Sequence, residues 1–381
     1  MTTATLDAPA GPLTLARPGT GDASLRAWDA ADELLLQEAF ARLDPSRQPR
    51  VLVIDDQFGA LTLGLNPFQP DLVADSATLP AALADNAGLN PGLASLPEVR
   101  SWRTPPDARY DAVVLRIPRH ADYLAWLLRW VNGVLAEDGL LLAGGMIKHL
   151  PDRGVDVFAQ AVTTDTVCPA RKKARVIVCR PGTAELADWP GTWKGYSPEQ
   201  ESFEVSALPA VFARDKLDIG TRLFLPRVRS AVAELAPGAR VLDLACGNGV
   251  VGMVALSARP DLALTFSDVS SQAIVSAERN VEAAFADSDC TFDHADGVAA
   301  GAGRFDLILL NPPFHEGGVV GDHIALRLFA QAARHLAPGG RLLMVGNRHL
   351  GYHRSLRRFF PQVRQLDANP KFVVLEAATK R

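Results

Sequence analysis

Asn311-Pro312-Pro313-Phe314 follows directly on the apolar run FDLILL and is the most specific chemical signal in the chain. Consecutive prolines fix two backbone torsions and, lacking N–H groups, leave neighbouring carbonyls without local donors. The segment is therefore a stiff set of acceptors. An amino group conjugated to a nucleobase or an amide is a poor nucleophile, because its lone pair is delocalised. Acceptance of its two hydrogens by the Asn311 side-chain oxygen and the Pro312 carbonyl shifts the nitrogen towards tetrahedral geometry as it attacks. The same oxygens stabilise the positive charge that develops, with no strong base required. Phe314 offers a face on which a base stacks, a contact typically worth about 1–3 kcal/mol. His315-Glu316 beside it reads as a loop hydrogen-bond pair rather than a proton acceptor.

A second motif lies upstream, where VLDLA runs into Cys246-Gly247-Asn248-Gly249-Val250-Val251-Gly252, a G-x-G-x-x-G turn that opens a helix. Glycines there let the backbone bend sharply and let a ligand approach where a Cβ would collide, while the helix amides point towards it. Asp268 ends the next apolar run (FSD) and is placed to accept from ribose hydroxyls. NAD and S-adenosylmethionine both satisfy this pattern, although a dehydrogenase has no use for the Asn-Pro-Pro loop. Asp243, a carboxylate among Val and Leu, must find donors or face the crevice at the carboxyl end of its strand. Asp296 in HADGV reads equally as a helix cap and as an acceptor for an adenine amino group. Cys246 reads as a small packing residue.

The elements that carry these motifs occur twice. VLVID at Val51 answers VLDLA at Val241, and DAVVLRIP at Asp111 answers DLILLNPP at Asp306. LAEDGLLLAGG at Leu135 matches LAPGGRLLMVG at Leu336, and RVIVC aligns with FVVLE through Val176 and Val373. Four matches in one order at nearly constant separation imply two homologous domains. Short Val/Leu/Ile runs between longer amphipathic stretches are the pattern of strands covered on both faces by helices, so each half is an α/β, doubly wound, mostly parallel sheet. In the second half, strands are expected near 240–245, 262–268, 289–294, 305–310 and 341–346, with helices near 249–258, 271–284 and 322–336. An antiparallel hairpin about Asn369-Pro370 closes the chain. Residues 1–24 read as a poorly ordered lead-in, 25–182 as the first domain, 183–210 as a linker with a small hairpin, and 211–381 as the domain that carries the motifs.

Composition narrows the class of function. The 381 residues are 48% hydrophobic and 22% charged, which excludes a wholly disordered chain. With 39 basic and 43 acidic residues the formal charge is −4, so any contact with nucleic acid must use local patches. The four cysteines are too few and too scattered for a disulfide framework or a zinc-type pair. Together with the lack of a signal-like N-terminus, this points to a cytoplasmic protein. His349 and His353 share a helical spacing but have no nearby carboxylate and flank Gly351, so no metal site is expected.

These residues resemble the class I S-adenosylmethionine-dependent N-methyltransferases, whose exocyclic-amine members carry Asn-Pro-Pro-Phe/Tyr at this place. Two tandem halves, KLDIGTRLFL, LDLACGNGVVG, NPPFHEGG, NRHLGYH and NPKFVVLEA make the chain similar to the bacterial ribosomal RNA guanine-N2 methyltransferases. The closing segment and the glycine turn favour the large-subunit (23S) type over the small-subunit (16S) type. The resemblance covers about Val51 to Glu376 and implies two tandem Rossmann-like class I methyltransferase domains, the first degenerate. It further implies S-adenosylmethionine as cofactor, with Asp243, Ala245, Gly247, Asn248 and Gly249 lining its site and Asn311 at the edge. Asp268 then lies on the ribose and Asp296 near the adenine, while Asn311, Pro312, Pro313 and Phe314 hold a flipped guanine. Ala245 departs from the family's usual glycine and adds a methyl group beside the cofactor, which bears on affinity. Adenine N6 or a protein glutamine amide suits the same acceptors, and a non-catalytic RNA-binding module is the reading from another class.

The first half lacks the chemistry. Asp55-Asp56-Gln57-Phe58-Gly59-Ala60 replaces the glycine turn and Arg116-Ile117-Pro118-Arg119 replaces the acceptor loop, so cofactor binding is not expected there. The resemblance favours RNA positioning by this half over a purely structural role, with Arg116, Arg119, Lys172 and Lys173 as contacts. In the second half, residues 323–366 contain eight arginines and no acid, and Arg348, Arg354, Arg357 and Arg358 are expected to meet phosphates. The expected partner is ribosomal RNA, protein-free or early in assembly, bound by a monomer.

Overall fold

The computed structural model describes residues 2–19, 25–151, 153–313 and 323–379. The chain divides into two compact units, Met1–Thr192 and Trp193–Arg381. In the first, β1 (Thr3–Ala8) and β2 (Gly11–Ala16) precede α1 (Ala30–Arg42), β3 (Val51–Ile54), α2 (Ala60–Gly64) and β4 (Asp71–Val73). Then come α3 (Leu79–Gly88), β5 (Val99–Arg100), β6 (Tyr110–Arg116), α4 (Ala121–Val134) and β7 (Leu135–Met146). The unit ends with α5 (Gly154–Ala161), β8 (Thr163–Val167) and β9 (Ala174–Arg180).

The second unit begins with β10 (Lys194–Tyr196), β11 (Val205–Ala207), α6 (Ile219–Ala233), β12 (Arg240–Leu244) and α7 (Val250–Ala258). It continues through β13 (Ala263–Asp268), α8 (Ser271–Phe285), β14 (Cys290–His294), β15 (Phe305–Leu310) and α9 (His323–His335). It closes with β16 (Leu336–Asn347), α10 (Tyr352–Leu356), β17 (Gln362–Ala368) and β18 (Phe372–Ala378).

Both units build the same seven-stranded sheet. The first is ordered β5-β4-β3-β6-β7-β9-β8 and the second β14-β13-β12-β15-β16-β18-β17. Even the register repeats: Leu52 pairs with Val113 as Leu242 pairs with Ile308. The four repeated segments seen in the sequence are β3/β12, β6/β15, β7/β16 and β9/β18. Only the last two strands of each sheet run antiparallel to their neighbours, and the final strand slips inside, so that β18 pairs with both β16 and β17.

Alternate residues of each central strand of the second unit enter opposite cores. Val241, Leu307, Leu309 and Val345 pack with α6, α7 and α8 residues such as Phe224, Val228, Met253 and Ile274. Leu242, Leu244, Ile308, Leu310 and Met344 pack with α9 and α10 residues such as Phe329 and Tyr352. Strands buried on both faces read as the continuous apolar runs seen in the sequence.

Two boundary expectations are corrected. Within the supposed lead-in, β1 and β2 form an antiparallel hairpin that places Leu6, Leu13 and Leu15 in the first core. Full burial of a leucine is worth roughly 1.5–3 kcal/mol, which offsets the cost of ordering a short hairpin. Asn86 ties the hairpin down: its Oδ1 accepts from the Ala16 amide at 2.7 Å and its Nδ2 donates to the Ala16 carbonyl at 3.1 Å. The hairpin β10–β11, expected in a linker, is instead integral to the second unit. Phe203 and Val205 join the core beneath α6, and Asn280 of α8 accepts from the Ser206 amide at 3.0 Å.

Candidate active site

The glycine turn joins β12 to α7. Gly249 caps the helix with φ 83°, and Gly247 has φ 56° with open space where a Cβ would stand. The third glycine, Gly252, has a different task. A Cβ there would lie 2.3 Å from Phe266 Cε1, so glycine is what lets α7 pack close to β13. Ala245, the departure from the family pattern, has φ 59°, in the left-handed region that favours glycine.

Ala245, Asp268 and Asp296 line one pocket together with Leu244, Ser267, Val269, Gly297, Pro313, Ile324, Arg327 and Leu328. Asp268, at the end of β13, accepts from the Gly247 amide at 2.8 Å and from the Ser270 amide at 2.9 Å. It thereby locks the glycine turn to the start of α8. Asp296 forms an ion pair with Arg327 of α9. Its loop is held by Gln331, whose Oε1 accepts from the Val298 amide at 2.8 Å, and by Ser267, whose hydroxyl donates to the Gly297 carbonyl at 2.5 Å. Arg327 and Gln331 were not legible as site residues, since both sit on an amphipathic helix where each resembles ordinary surface.

Of the residues expected to line the cofactor site, Ala245, Asp268 and Asp296 line this pocket, whereas Asp243, Gly247, Asn248, Gly249 and Asn311 are not among its lining residues. Asp243 is 2% exposed and accepts from the Gly252 amide at 2.8 Å, so it anchors the first turn of α7. Burial pushes its carboxyl up to about 7, and the nearby Asp268 adds to the rise although the Gly252 bond opposes it. Asn248 is likewise buried, donating to the Tyr196 hydroxyl at 3.2 Å and accepting from the Val250 amide at 3.3 Å. Both are turn-building groups here. Cys246 is buried, and burial raises its thiol well above the ordinary range, in keeping with a packing role.

Asn311 and Pro312 follow the last residue of β15, and Pro313 reaches the pocket. The acceptor loop and the two acidic residues are thus brought to one carboxyl edge of the sheet. Phe314, His315 and Glu316 lie outside the described residues. Asn311 Nδ2 donates to Thr221 Oγ1 at 3.0 Å. Thr221 belongs to LDIGTRLFL, and the signal that would have found it is Asp218 three residues ahead, the spacing of a helix N-cap.

In the first unit the corresponding space is filled. Tyr123 and Trp126 of α4 stand at the positions of Ile324 and Arg327 and are buried. The Tyr123 hydroxyl donates to Asp55 Oδ2 at 2.8 Å and accepts from Trp102 Nε1 at 2.9 Å. Arg116, expected at an RNA surface, is a correction: it is 9% exposed and donates to both carboxylate oxygens of Asp29, at 2.9 and 3.0 Å. Asp32 lies 3.2 Å from the same guanidinium. Burial opposes the charge on Arg116, but Asp32 and Asp29 more than offset it and hold its pKa above the ordinary value. Arg119 contacts His149 at 3.2 Å, and Lys172 pairs with Glu33 at 2.6 Å while remaining largely exposed. Lys173 sits in the same tight turn with φ 63°. In the second unit Arg348, Arg354, Arg357 and Arg358 are all exposed; Arg348 donates to the Asn369 carbonyl at 3.1 Å.

A strand order of 3-2-1-4-5-7-6 within each unit, joined in the second unit by a glycine turn after the first strand and an acidic residue ending the second, defines the class I methyltransferase fold. The comparisons agree. Residues 3–183 match the family described as RLMG N-terminal domain, and residues 202–376 match Methyltransferase small domain. The chain belongs to the ribosomal RNA large subunit methyltransferase G family. It is 40% identical to the member from Alcanivorax borkumensis over 379 residues, covering 96% of this chain and 95% of that protein. It is also 40% identical to a Pseudomonas aeruginosa member over 364 residues, covering 93% of each. Among solved structures, a 16S rRNA N2 methyltransferase from T. thermophilus, in complex with AdoMet and guanosine, shares the fold with a TM-score of 0.77. That match has 22% identity and covers 100% of this chain and 98% of the other.

Proposed function

We propose that this chain transfers a methyl group from S-adenosylmethionine to the exocyclic N2 of a guanine in large-subunit ribosomal RNA. The observation that carries the reading is the Asn311-Pro312-Pro313 loop at the carboxyl edge of β15, beside a pocket walled by Asp268 and Asp296. The pocket's acceptors and apolar walls fit a nucleoside-bearing cofactor. Asp268 is placed for ribose hydroxyls, Asp296 for an adenine amino group, and Leu244, Val269 and Leu328 supply apolar walls. The open space at Gly247 admits the cofactor close to the backbone. Bound there, S-adenosylmethionine supplies an electrophilic methyl group on a positively charged sulfur.

The chain's own residues act on the nucleophile. Asn311 Oδ1 and the Pro312 carbonyl accept the two amine hydrogens and orient the nitrogen lone pair, while rigid prolines keep those oxygens from relaxing away. No side chain has to remove a proton before attack. A guanine must leave its stack to reach such an edge, which favours RNA whose target base is not yet covered by ribosomal proteins. The large-subunit assignment rests on the names of the relatives. We further propose that the chain acts as a monomer in the cytoplasm, where ribosomal RNA is made. The exposed Arg348, Arg354, Arg357 and Arg358 are the phosphate contacts. Filled by its own side chains, the first unit serves RNA positioning, with Arg119, Lys172 and Lys173 as its exposed cations.

Isotope-labelled methyl transfer onto separated, protein-free 16S and 23S RNA, followed by nucleoside mass spectrometry, tests the reading. The expected product is N2-methylguanosine in 23S RNA. Label in 16S RNA, in adenine or in a protein glutamine overturns it. Asn311→Ala is expected to lower turnover at least tenfold while cofactor affinity scarcely changes; undiminished turnover excludes the acceptor mechanism.

A further inference from the structure

We propose that Thr221, held by Asp218, is a positioning residue that sets which way round the Asn311 amide stands. The inference rests on the reading of Asn311 as the acceptor of the substrate amine. An asparagine side chain has an accepting oxygen and a donating NH2, of nearly the same shape, and only the oxygen serves an attacking amine. The flipped amide would point N–H donors at the amine hydrogen that its oxygen is meant to receive. Something outside the loop has to decide between them.

The hydrogen-bond chain from α6 supplies that decision. Asp218 is the N-cap of α6; its Oδ2 accepts from the Thr221 amide at 3.0 Å and lies 3.5 Å from the Thr221 hydroxyl. A carboxylate only accepts, so the hydroxyl proton is turned towards Asp218 and the hydroxyl's lone pairs face Asn311. Asn311 then meets Thr221 through Nδ2, at 3.0 Å, and its oxygen is directed elsewhere. Thr221 is 4% exposed, so water does not readily stand in for either partner.

The duplicated unit gives an independent reason to regard these positions as linked. Asp29, Asp32 and Arg116 occupy the places of Asp218, Thr221 and Asn311: N-cap of the first long helix, third residue of that helix, and the residue at the end of the fourth strand. They too are joined, through the 2.9 and 3.2 Å contacts of Arg116 with Asp29 and Asp32. The fold therefore brings this helix start onto that strand end in both units. Where the acceptor loop is absent the triad is a closed ion-pair cluster; where it is present, the triad runs from a carboxylate through a hydroxyl to an amide.

The test is a kinetic comparison of Thr221→Val, Thr221→Ser, Asn311→Ala and the Thr221→Val/Asn311→Ala double variant, with cofactor affinity measured by calorimetry. Thr221→Val keeps the shape and removes the acceptor. It is expected to lower kcat about tenfold, with KM for RNA and Kd for S-adenosylmethionine within twofold, and Thr221→Ser to restore kcat to within about threefold. In the double variant Thr221→Val should add nothing to Asn311→Ala, because it acts only through that side chain. A loss that adds fully in the double variant, or a Thr221→Val enzyme with normal kcat, overturns the proposal while the role of Asn311 stands. Asn311→Ala with normal kcat overturns the acceptor reading itself, and the proposal with it. Should Thr221→Val fold poorly, Thr221→Ala carries the same comparison, and a kcat that is normal or not rescued by serine overturns the proposal.

Discussion

Ala245 holds a left-handed backbone torsion on the wall of the pocket, a conformation that costs an L residue roughly 1–2 kcal/mol. Its counterpart, Asp55 in the first unit, has φ 55°, so the turn demands this torsion in both copies. Aspartate tolerates it better than alanine, and glycine adopts it without strain. Glycine also widens the freedom of the unfolded chain, which returns about 0.4–1 kcal/mol of the gain. Ala245→Gly is therefore expected to raise Tm by one or two degrees and to tighten S-adenosylmethionine binding by removing a methyl group from the pocket wall. Thermal unfolding and calorimetry check it; a lower Tm means the surroundings, rather than the torsion, govern this residue.

The junction of β12 and α7 is where a buried carboxyl holds a helix to a strand. Asp243 is pushed up to about 7 in the folded chain, mainly by burial, from an ordinary value of 3.8. The folded state thus keeps a proton that the unfolded chain releases, so this contribution to stability is present below about pH 4 and is lost as pH rises towards 7. Asp243→Asn still accepts from the Gly252 amide but carries no charge at any pH. The variant's advantage over the wild type should therefore grow between about pH 5 and pH 8 by an amount on the order of 2–3 kcal/mol. Parallel melting curves of the two proteins across that range would tell; a constant difference means Asp243 is not titrating. Elements of this kind were legible wherever burial is two-sided: β15 spans the expected 305–310, and α7, α8 and α9 fall within two residues of expectation. What escaped were features that depend on partners distant in sequence. The hairpin β1–β2 gains its core contacts and the Asn86 clamp only in the fold, and Arg116 is buried because Asp29 and Asp32 come to it from another element. The acceptor loop was readable because prolines impose their geometry locally, whereas the relay from Asp218 through Thr221 needed the start of α6 to meet the residue that follows β15.

At the scale of the whole molecule, a net charge of −4 forbids attraction of RNA by a global field, so affinity must come from a few cations left unpaired by the fold. Pairing removes several of the eight arginines of residues 323–366. Arg327 is joined to Asp296, Arg341 to Glu376 and Glu234, and Arg364 to Glu376. Arg354 on α10 and Arg357 just past its end remain exposed, and α10 follows β16, the strand next to the one bearing the acceptor loop. A cation that meets a phosphate releases counterions, and the affinity then falls with salt by roughly 0.7–0.9 in logarithmic slope per contact. Arg354→Glu/Arg357→Glu should weaken RNA binding at low salt and flatten its salt dependence by about one to two in slope, while leaving the melting temperature and S-adenosylmethionine affinity unchanged. Filter binding of a 23S fragment between about 50 and 200 mM salt measures it. An unaltered slope would remove these arginines from the RNA surface and shift the search to the exposed cations of the first unit, Arg119, Lys172 and Lys173.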